Sequence, residues 1–344
     1  MRGRQKIGRS EYVFLFQTAI CPSLFASRHF QKQMRYCDLH CDALTKERDF
    51  QVTKENLTAG GCYLQCFAAF ISVRKDRYDS ALTLCDRFDA LCKEEGYHPV
   101  RRSADLKENA VNALLTVEEG GAIDGDLQKL DVLYERGVRM MTLTWNYPNE
   151  IGFPNFPDFE SLKEGKLPFT ARETSRGLTE FGRETVERMN LLGMLADVSH
   201  GSDKLFYDVA EICGRANIPF VASHSGADSV YACARNLTDK QLSVLGDLGG
   251  VVGLDFCADF LSGDLSVKGQ KDAILAHARA IVNAGGEDVL ALGSDFDGIP
   301  ENSYLRNPAY VPDLLDVFSR EFGSRITEKI ARNNFLRVFQ EVCQ

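Results

Sequence analysis

The sequence predicts an α/β protein with a (β/α)8 TIM barrel fold, and three observations favour this fold class. From Met34 onward, strand-like apolar runs alternate with amphipathic helical stretches, the pattern of a parallel sheet joined by helical crossovers. Eight strand-helix units fit into the roughly 300 residues that follow Met34, which is the stoichiometry of this barrel. Several runs end in a residue that can bind a metal ion, and barrel active sites lie at the carboxyl ends of the strands.

Each predicted strand is a short apolar run bounded by turn residues. The eight runs are Arg35–Asp42, Cys62–Ile71, Asn112–Glu118, Val138–Trp145, Gly193–His200, Phe220–Ser225, Gly249–Phe256 and Val289–Asp295. A doubly wound open sheet is the alternative fold, but its ligands gather at one switch point. Five of these runs end in a candidate ligand or acid, which favours a ring of sites and therefore a closed barrel.

Helical periodicity separates the predicted strands. Leu178–Leu191 has one apolar face and begins beside Thr179, which is a good N-terminal cap. A second helix is predicted over Val267–Asn283, and a last pair over Val311–Val342. Residues 146–176 are rich in Pro, Asn, Gly and Glu. They predict a long loop after the fourth strand, in a position to cover the site.

Composition limits the classes of partner. The 344 residues are 44% hydrophobic and 26% charged, as expected for a soluble globular protein with a large core. A net charge of -9 without a Lys or Arg run argues against nucleic acid. No apolar stretch reaches the roughly 18 to 20 residues of a membrane span. We therefore expect no nucleic-acid and no membrane partner, and the sequence leaves a homodimer open.

The cysteine pattern favours a reducing compartment. Cysteines number eleven, an odd count, and none forms a CxxC pair. Several lie inside apolar strand-like runs, where a thiol behaves as a small hydrophobic group. The expected location is the cytoplasm.

The first 33 residues form a separate segment. Basic residues precede the short apolar stretch Tyr12–Ile20, as in a secretory signal, but Glu11 and Pro22 interrupt the match. We expect residues 1–33 to be a disordered extension, or the result of a start assigned upstream of Met34. Residues 34–344 are expected to form a single catalytic domain.

Candidate metal ligands end several predicted strands. His40 and Asp42 lie two residues apart, and strand alternation would point both to one side. Glu118 and His200 end two further runs, and His224 lies at the end of a third, one residue before Ser225. Imidazole and carboxylate are ligands that zinc prefers, and Glu118 is able to bridge two ions. Cobalt and manganese are alternative metals.

Other polar residues have less specific interpretations. The remaining histidines, interpreted as ordinary solvated or helical residues, are His29, His98 and His277. Asp297 is interpreted mainly as a cap for the turn with Gly298. Asp197 and Asp255 either orient the ligands or satisfy backbone groups, and the sequence does not choose between these roles.

Seven short motifs occur in order between about residue 35 and the carboxyl end. They are Asp38–Asp42, Val117–Glu118, Met141–Thr144, Asp197–His200, Ser223–Ala227, Arg235–Asn236 and Gly293–Gly298. Together they resemble the renal (membrane) dipeptidase family of dizinc peptidases. The resemblance implies a barrel of the metal-dependent hydrolase (amidohydrolase) type with two zinc ions, bridged by a glutamate and a water.

The resemblance also divides the five metal ligands between the two ions. His40 and Asp42 would hold one ion, His200 and His224 the other, and Glu118 both. Glu119 competes for the bridging role. We favour Glu118, because a carboxylate one place further on would point to the other side of the strand.

The implied reaction is hydrolysis of a dipeptide by a hydroxide between the two metal ions. Arg235 would bind the substrate carboxylate through its planar guanidinium group. Asp295 matches the family's catalytic-site aspartate and would carry a proton to the leaving amine. The alternatives are another barrel hydrolase (a deaminase, lactonase or amidase) acting on a non-peptide substrate, and a binding protein that has lost catalysis.

One departure from the family concerns the end of the fourth strand. Where the mammalian enzymes have a histidine after Leu-Thr, this chain has Trp145 and Asn146. Asn146 or a zinc ion would then provide the contact to the substrate carbonyl. Trp145 would either pack at the barrel mouth or contact the substrate.

Overall fold

Eight parallel strands form a closed barrel in the computed structural model, which describes residues 34–47, 49–71 and 76–344. The described strands are β1 (Tyr36–Asp38), β2 (Cys62–Phe70), β3 (His98–Val100), β4 (Asn112–Glu118), β5 (Val138–Thr142), β6 (Leu195–Asp197), β7 (Val221–Ser225), β8 (Val251–Leu254) and β9 (Leu290–Leu292). The barrel runs in the order β1-β2-β4-β5-β6-β7-β8-β9 and closes on β1. The predicted fold class is confirmed. The prediction for residues 1–33 lies outside the described residues.

Strand β3 lies outside the barrel and was not predicted. It pairs with the first half of β4, from His98 opposite Asn112 to Val100 opposite Leu114, and β5 pairs with the second half. The sequence signal was weak because the strand has three residues, of which Pro99 cannot donate to a ladder. His98 is half-buried at the start of this strand, and its Nε2 lies 2.7 Å from the Asp105 carbonyl oxygen.

The barrel strands end earlier than most of the predicted runs. Asn112–Glu118 was predicted with the observed bounds, whereas the run predicted to reach His200 ends at Asp197. His200 and Asp295 have φ values of 63° and 59°, which lie in the left-handed region and not in the β region of a strand. The chain therefore leaves the ladder before these site residues, and turn geometry rather than strand alternation aims their side chains.

The barrel closes between its first and last strands, β1 and β9. Asp38 pairs with Leu292, and the Leu39 amide donates to the Leu292 carbonyl at 2.9 Å. Ser294 adds two bonds to the Asp38 carboxylate, from its amide at 2.8 Å and its hydroxyl at 2.5 Å. The pairing of β1 with β9, which are far apart in sequence, is thus held by side-chain as well as backbone hydrogen bonds.

Helices surround the strands. They are α1 (Lys54–Gly60), α2 (Arg77–Glu95), α3 (Leu127–Glu135), α4 (Phe159–Lys163), α5 (Glu180–Leu192), α6 (Asp203–Ala216), α7 (Asp239–Asp247), α8 (Ala258–Leu261), α9 (Val267–Gly285), α10 (Val311–Glu328) and α11 (Asn334–Val342). Thr179 caps α5 as predicted, because its hydroxyl accepts from the Gly182 amide at 2.9 Å. The loop over 146–176 contains the short helix α4. Gly323, at φ 79°, kinks α10.

The core has two layers. One lies between the barrel and its helices, and the other fills the barrel interior, where Leu64, Leu114 and Met140 meet. Phe335 and Phe339 of α11 pack into this inner layer. All ten cysteines of the described residues are free and buried. Within the same residues, no helix combines the length and apolar character that crossing a bilayer requires.

Candidate metal centre

The five predicted metal ligands lie together at the carboxyl ends of the barrel strands, and all five are buried. One carboxylate oxygen of Glu118, Oε2, lies 3.3 Å from His40 Nε2. The other, Oε1, lies 3.2 Å from His200 Nε2 and 3.7 Å from His224 Nε2. Asp42 Oδ1 is 3.9 Å from His40 Nε2. Glu118 therefore stands between two groups of donors and offers a different oxygen to each.

These residues fit bound cations. Among the described residues, the buried atoms His40 Nε2 and Asp42 Oδ1 have no hydrogen-bond partner. His200 Nε2 and His224 Nε2 point at each other across 3.0 Å. Buried polar atoms are normally satisfied, and two facing ring nitrogens are satisfied together by a metal ion. The nitrogen and carboxylate donors are those of transition-metal sites.

Hydrogen bonds at the far ring nitrogens orient two of the histidines. His200 Nδ1 lies 2.8 Å from the Asn146 side-chain oxygen, and His224 Nδ1 lies 2.8 Å from the Ser223 hydroxyl oxygen. An amide oxygen only accepts, so His200 carries its proton on Nδ1 and leaves Nε2 free as a ligand. Asn146, a predicted substrate-binding residue, thus contacts a candidate ligand.

Asp197 is fully buried and supports the ends of β6 and β7, where His200 and His224 lie. Its carboxylate accepts from the Ser199 amide at 2.9 Å, the Ser223 amide at 2.8 Å and the Ser223 hydroxyl at 2.6 Å. The Thr142 hydroxyl adds a fourth bond at 2.5 Å. Of the two roles that the sequence left open, Asp197 combines both, since it satisfies backbone amides and fixes the hydroxyl that bonds His224.

The five candidate ligands and Asp295 form a cluster, and negative charge dominates the side of this cluster around His40. Burial alone would lower the pKa of His40, but the carboxylates of Glu118, Asp42 and Asp295 outweigh it and raise this pKa to about 10. Burial, followed by repulsion from Glu118, raises the pKa of Asp42 to about 7. Burial and then the charge of Arg235 lower the pKa of His200 to about 4. The cluster therefore attracts positive charge while keeping His200 neutral, as a metal ligand must be.

Asp295 lies beside the candidate ligands, after the end of β9. Its Oδ1 is 3.8 Å from His40 Nε2. Among the described residues, two groups of buried side chains have donor atoms close enough to hold an ion, namely His40 with Glu118 and His224, and His40 with Asp42 and Asp295. Burial and the nearby Asp255 raise the pKa of Asp295 well above its usual value. A carboxyl group at this position, beside the candidate metal ligands, is suited to acid-base work.

Arg235 is buried in the loop after β7, with 4% of its surface exposed. Its Nη2 donates to the His224 carbonyl at 3.3 Å, and its Nε has no partner among the described residues. Asp255 is also buried beside the site, and its Oδ2 likewise lacks a described partner. Its Oδ1 accepts from the Cys257 amide at 2.6 Å. Arg235 thus keeps donor capacity for a ligand.

Trp145 is partly exposed at the barrel mouth, and its ring centroid is 6.1 Å from that of His200. Its backbone amide donates to Glu119 Oε2 at 3.0 Å, while Glu119 Oε1 accepts from the side-chain nitrogen Nδ2 of Asn149 at 2.6 Å. Glu119 is therefore engaged with the loop after β5, and Glu118 is the carboxylate that faces the cluster.

Residues 26–344 match the membrane dipeptidase family, peptidase family M19. The chain belongs to this family. The family, the metal-dependent peptidase class and the dipeptidase type predicted from the sequence are thereby confirmed.

The chain is also similar to curated proteins and to a solved structure. An uncharacterised protein in the pqqA 5' region of Klebsiella pneumoniae is 35% identical, over 69% of this chain and 85% of its own length. Mouse Dipeptidase 3 is 29% identical, over 86% of this chain and 58% of its own length. A metallopeptidase from Rhodobacter sphaeroides, solved with a phosphinate mimic of the dipeptide L-Ala-D-Ala, has a TM-score of 0.78 at 22% identity. The likeness covers 90% of this chain and 99% of that one.

Two residues of this membrane dipeptidase family member have structural roles. Asp297 accepts from the amides of Gln51 at 2.7 Å and Val52 at 3.1 Å, so it ties a neighbouring loop to the turn. His277 is helical, as interpreted, but buried in α9. Its Nδ1 accepts from the Ala227 amide at 2.9 Å, and its Nε2 lies 2.9 Å from the Leu261 carbonyl oxygen. The apolar periodicity of α9 around His277 was the available signal for burial.

Proposed function

We propose that this protein is a dizinc dipeptidase. The observation that carries the proposal is the position of Glu118, whose two oxygens face His40 on one side and the pair His200 and His224 on the other. In this arrangement His40 and Asp42 would hold one zinc ion, His200 and His224 the second, and Glu118 both. The ions, when bound, supply an activated water and neutralise charge that develops on the substrate carbonyl.

Arg235 binds the free carboxylate of the dipeptide. It is buried next to His224, it carries an unsatisfied Nε, and a guanidinium fork matches a carboxylate at two points. Because Arg235 lies next to the candidate ligand His224, this contact selects peptides whose free carboxyl terminus lies close to the scissile bond, and it disfavours carboxyl-blocked peptides. The substrate is therefore fixed by its carboxyl end, and the scissile bond lies beside the metal ligands.

Asp295 handles the proton. Burial and the adjacent Asp255 favour its protonated form, and its Oδ1 stands 3.8 Å from His40 Nε2. The leaving amine needs a proton when the peptide bond breaks, and a carboxyl group at this position can donate it. Asn146 orients His200 through the bond at Nδ1.

The test combines metal analysis with a hydrolysis screen on purified full-length protein. We expect about two zinc ions per chain, turnover of dipeptides in a panel that covers both chiralities at the carboxyl side, and little turnover of tripeptides or carboxyl-blocked dipeptides. Lactones and deaminable bases serve as controls for the other barrel hydrolases. Metal-loaded protein that hydrolyses a control and no dipeptide would overturn the proposal.

A further inference from the structure

An arc of aromatic side chains borders the metal centre. Successive ring centroids lie 5.1 to 6.2 Å apart along Phe70, Trp145, Phe159, Phe156, Phe169 and Phe260. The arc has two anchors in the site. Trp145 contacts the ring of His200, and the Arg235 guanidinium lies 5.2 Å above the ring of Phe260.

The strand order separates the two ends of the arc. Phe70 ends β2 and Trp145 follows β5, so their rings flank β4. Arg235 follows β7, and Phe260 follows β8. In a ring of eight strands, the gap between β7 and β8 lies across the mouth from β2 and β4. The Phe70 and Trp145 rings and the Arg235 site therefore stand on opposite sides of the metal ligands.

This separation places the two halves of a dipeptide. If Arg235 holds the terminal carboxylate and the scissile bond lies at the metal ligands, the amino-terminal residue extends beyond them, away from Arg235. There its side chain meets Phe70 and Trp145, which are both partly exposed. Two hydrogen bonds fix the position of Trp145. The Glu119 carboxylate accepts from the Trp145 backbone amide, and the side chain of the next residue, Asn146, is hydrogen-bonded to His200.

We propose that Trp145 and Phe70 form the binding surface for the substrate's amino-terminal side chain and select dipeptides with a large apolar or aromatic residue there. The inference rests on the proposed function and adds to it the class of substrate. Apolar and aromatic groups gain from contact with rings, whereas a carboxylate side chain loses its hydration without a partner. The other end of the arc, Phe169 and Phe260, would contact the carboxyl-terminal residue.

The experiment uses zinc-loaded full-length protein and dipeptides Xaa-Ala, with Phe, Leu, Gly, Asp and Lys as Xaa. We expect kcat/KM for Phe-Ala and Leu-Ala to exceed that for Gly-Ala and Asp-Ala by about tenfold or more. Trp145→Ala should reduce the Phe-Ala to Gly-Ala ratio to below about threefold, while Trp145→Phe retains most of it. Phe70→Leu provides a second, smaller truncation of the same surface.

Phe169→Ala is the matched control, since it removes a ring of the same arc on the side of Arg235. It should leave the Xaa-Ala ratios as they are and alter preference in an Ala-Xaa series. Equal loss on every substrate in Trp145→Ala, a flat wild-type profile or a preference for Asp-Ala or Lys-Ala would overturn the inference while leaving the dipeptidase function standing. Absence of turnover on every dipeptide would instead overturn the proposed function, and this inference with it.

Discussion

Asn146 and His200 are joined by a bond of 2.8 Å between the amide oxygen and imidazole Nδ1, although the two residues follow different barrel strands. Asn146 stands directly after Trp145, in the loop that follows β5. In this chain, the end of β5 therefore helps to orient a candidate metal ligand through Asn146.

Replacing Asn146 should weaken metal binding without unfolding the protein. Asn146→Ala removes the acceptor that fixes His200, and such partners are typically worth about 10- to 100-fold in metal affinity. Asn146→Asp keeps an acceptor and should retain most of the affinity. Zinc content after dialysis against buffers of graded free zinc measures the difference. Equal zinc retention by the Ala variant and the wild type would contradict this role.

Asp197→Asn should destabilise the fold. The substitution replaces one acceptor oxygen by an amide that donates, in a buried site where four donors converge. We expect the free energy of unfolding to fall by about 3 kcal/mol, because at least one buried donor loses its partner. Urea unfolding of the metal-free protein measures this change without a contribution from metal binding. A loss below about 0.5 kcal/mol would show that the network is dispensable.

His277 should make stability depend on pH below neutrality. Burial lowers its pKa from the usual 6.5, and Nδ1 accepts a backbone bond that only the neutral ring can accept. The unfolded chain therefore binds a proton that the native state refuses. The contribution of neutral His277 to the free energy of unfolding is fully present above pH 6.5. It is lost as the pH falls towards the lowered pKa of His277 in the native state.

His277→Gln is the matched variant for this prediction, since an amide can accept from Ala227 and donate to Leu261 without titrating. Urea unfolding between pH 7.5 and 5.0 should show a smaller loss of stability on acidification for this variant than for the wild type. Parallel curves for the two proteins would assign the acid sensitivity to other groups.

Arg235→Ala should separate substrate binding from metal binding. We expect KM for dipeptides to rise about 100-fold, the loss of a charge-assisted bidentate contact, while zinc content is unchanged. Arg235→Lys keeps the charge but not the fork, and should recover only part of the loss. Steady-state kinetics together with metal analysis test both variants. Loss of zinc from either protein would mean that Arg235 supports the ligands rather than the substrate.

The fold was predictable because its signals are local and repeated. The run Asn112–Glu118 was predicted with its observed bounds, since every residue of this barrel strand is buried and its apolar centre is bounded by Asn112 and Glu118. Strand β3 escaped prediction because three residues with a proline give almost no periodic signal. The early ends of β6 and β9 escaped because the positive φ of His200 and Asp295 is a property of the assembled turn.

The site was predictable by residue type but not by contact. His40, Glu118 and His200 meet at the predicted rim of the barrel. Only Glu118 is the last residue of its strand, since β1 ends at Asp38 and β6 at Asp197. Asn146 contacts His200, and His277 contacts Ala227 and Leu261. These contacts depend on which loops meet in the folded barrel, and the spacing of residues in the sequence does not predict which loops meet. Such partners become visible only when the strand order is known.

The seam between β1 and β9 has a consequence for biosynthesis. His40 and Asp295 come from opposite sides of that seam, so the centre needs both the start and nearly the end of the barrel in place. A ribosome-bound chain that has emerged only as far as β8 therefore lacks the partner strand and the last acidic group. Joining such distant segments is slow compared with local folding. Activity should therefore arise only after the last strand has emerged.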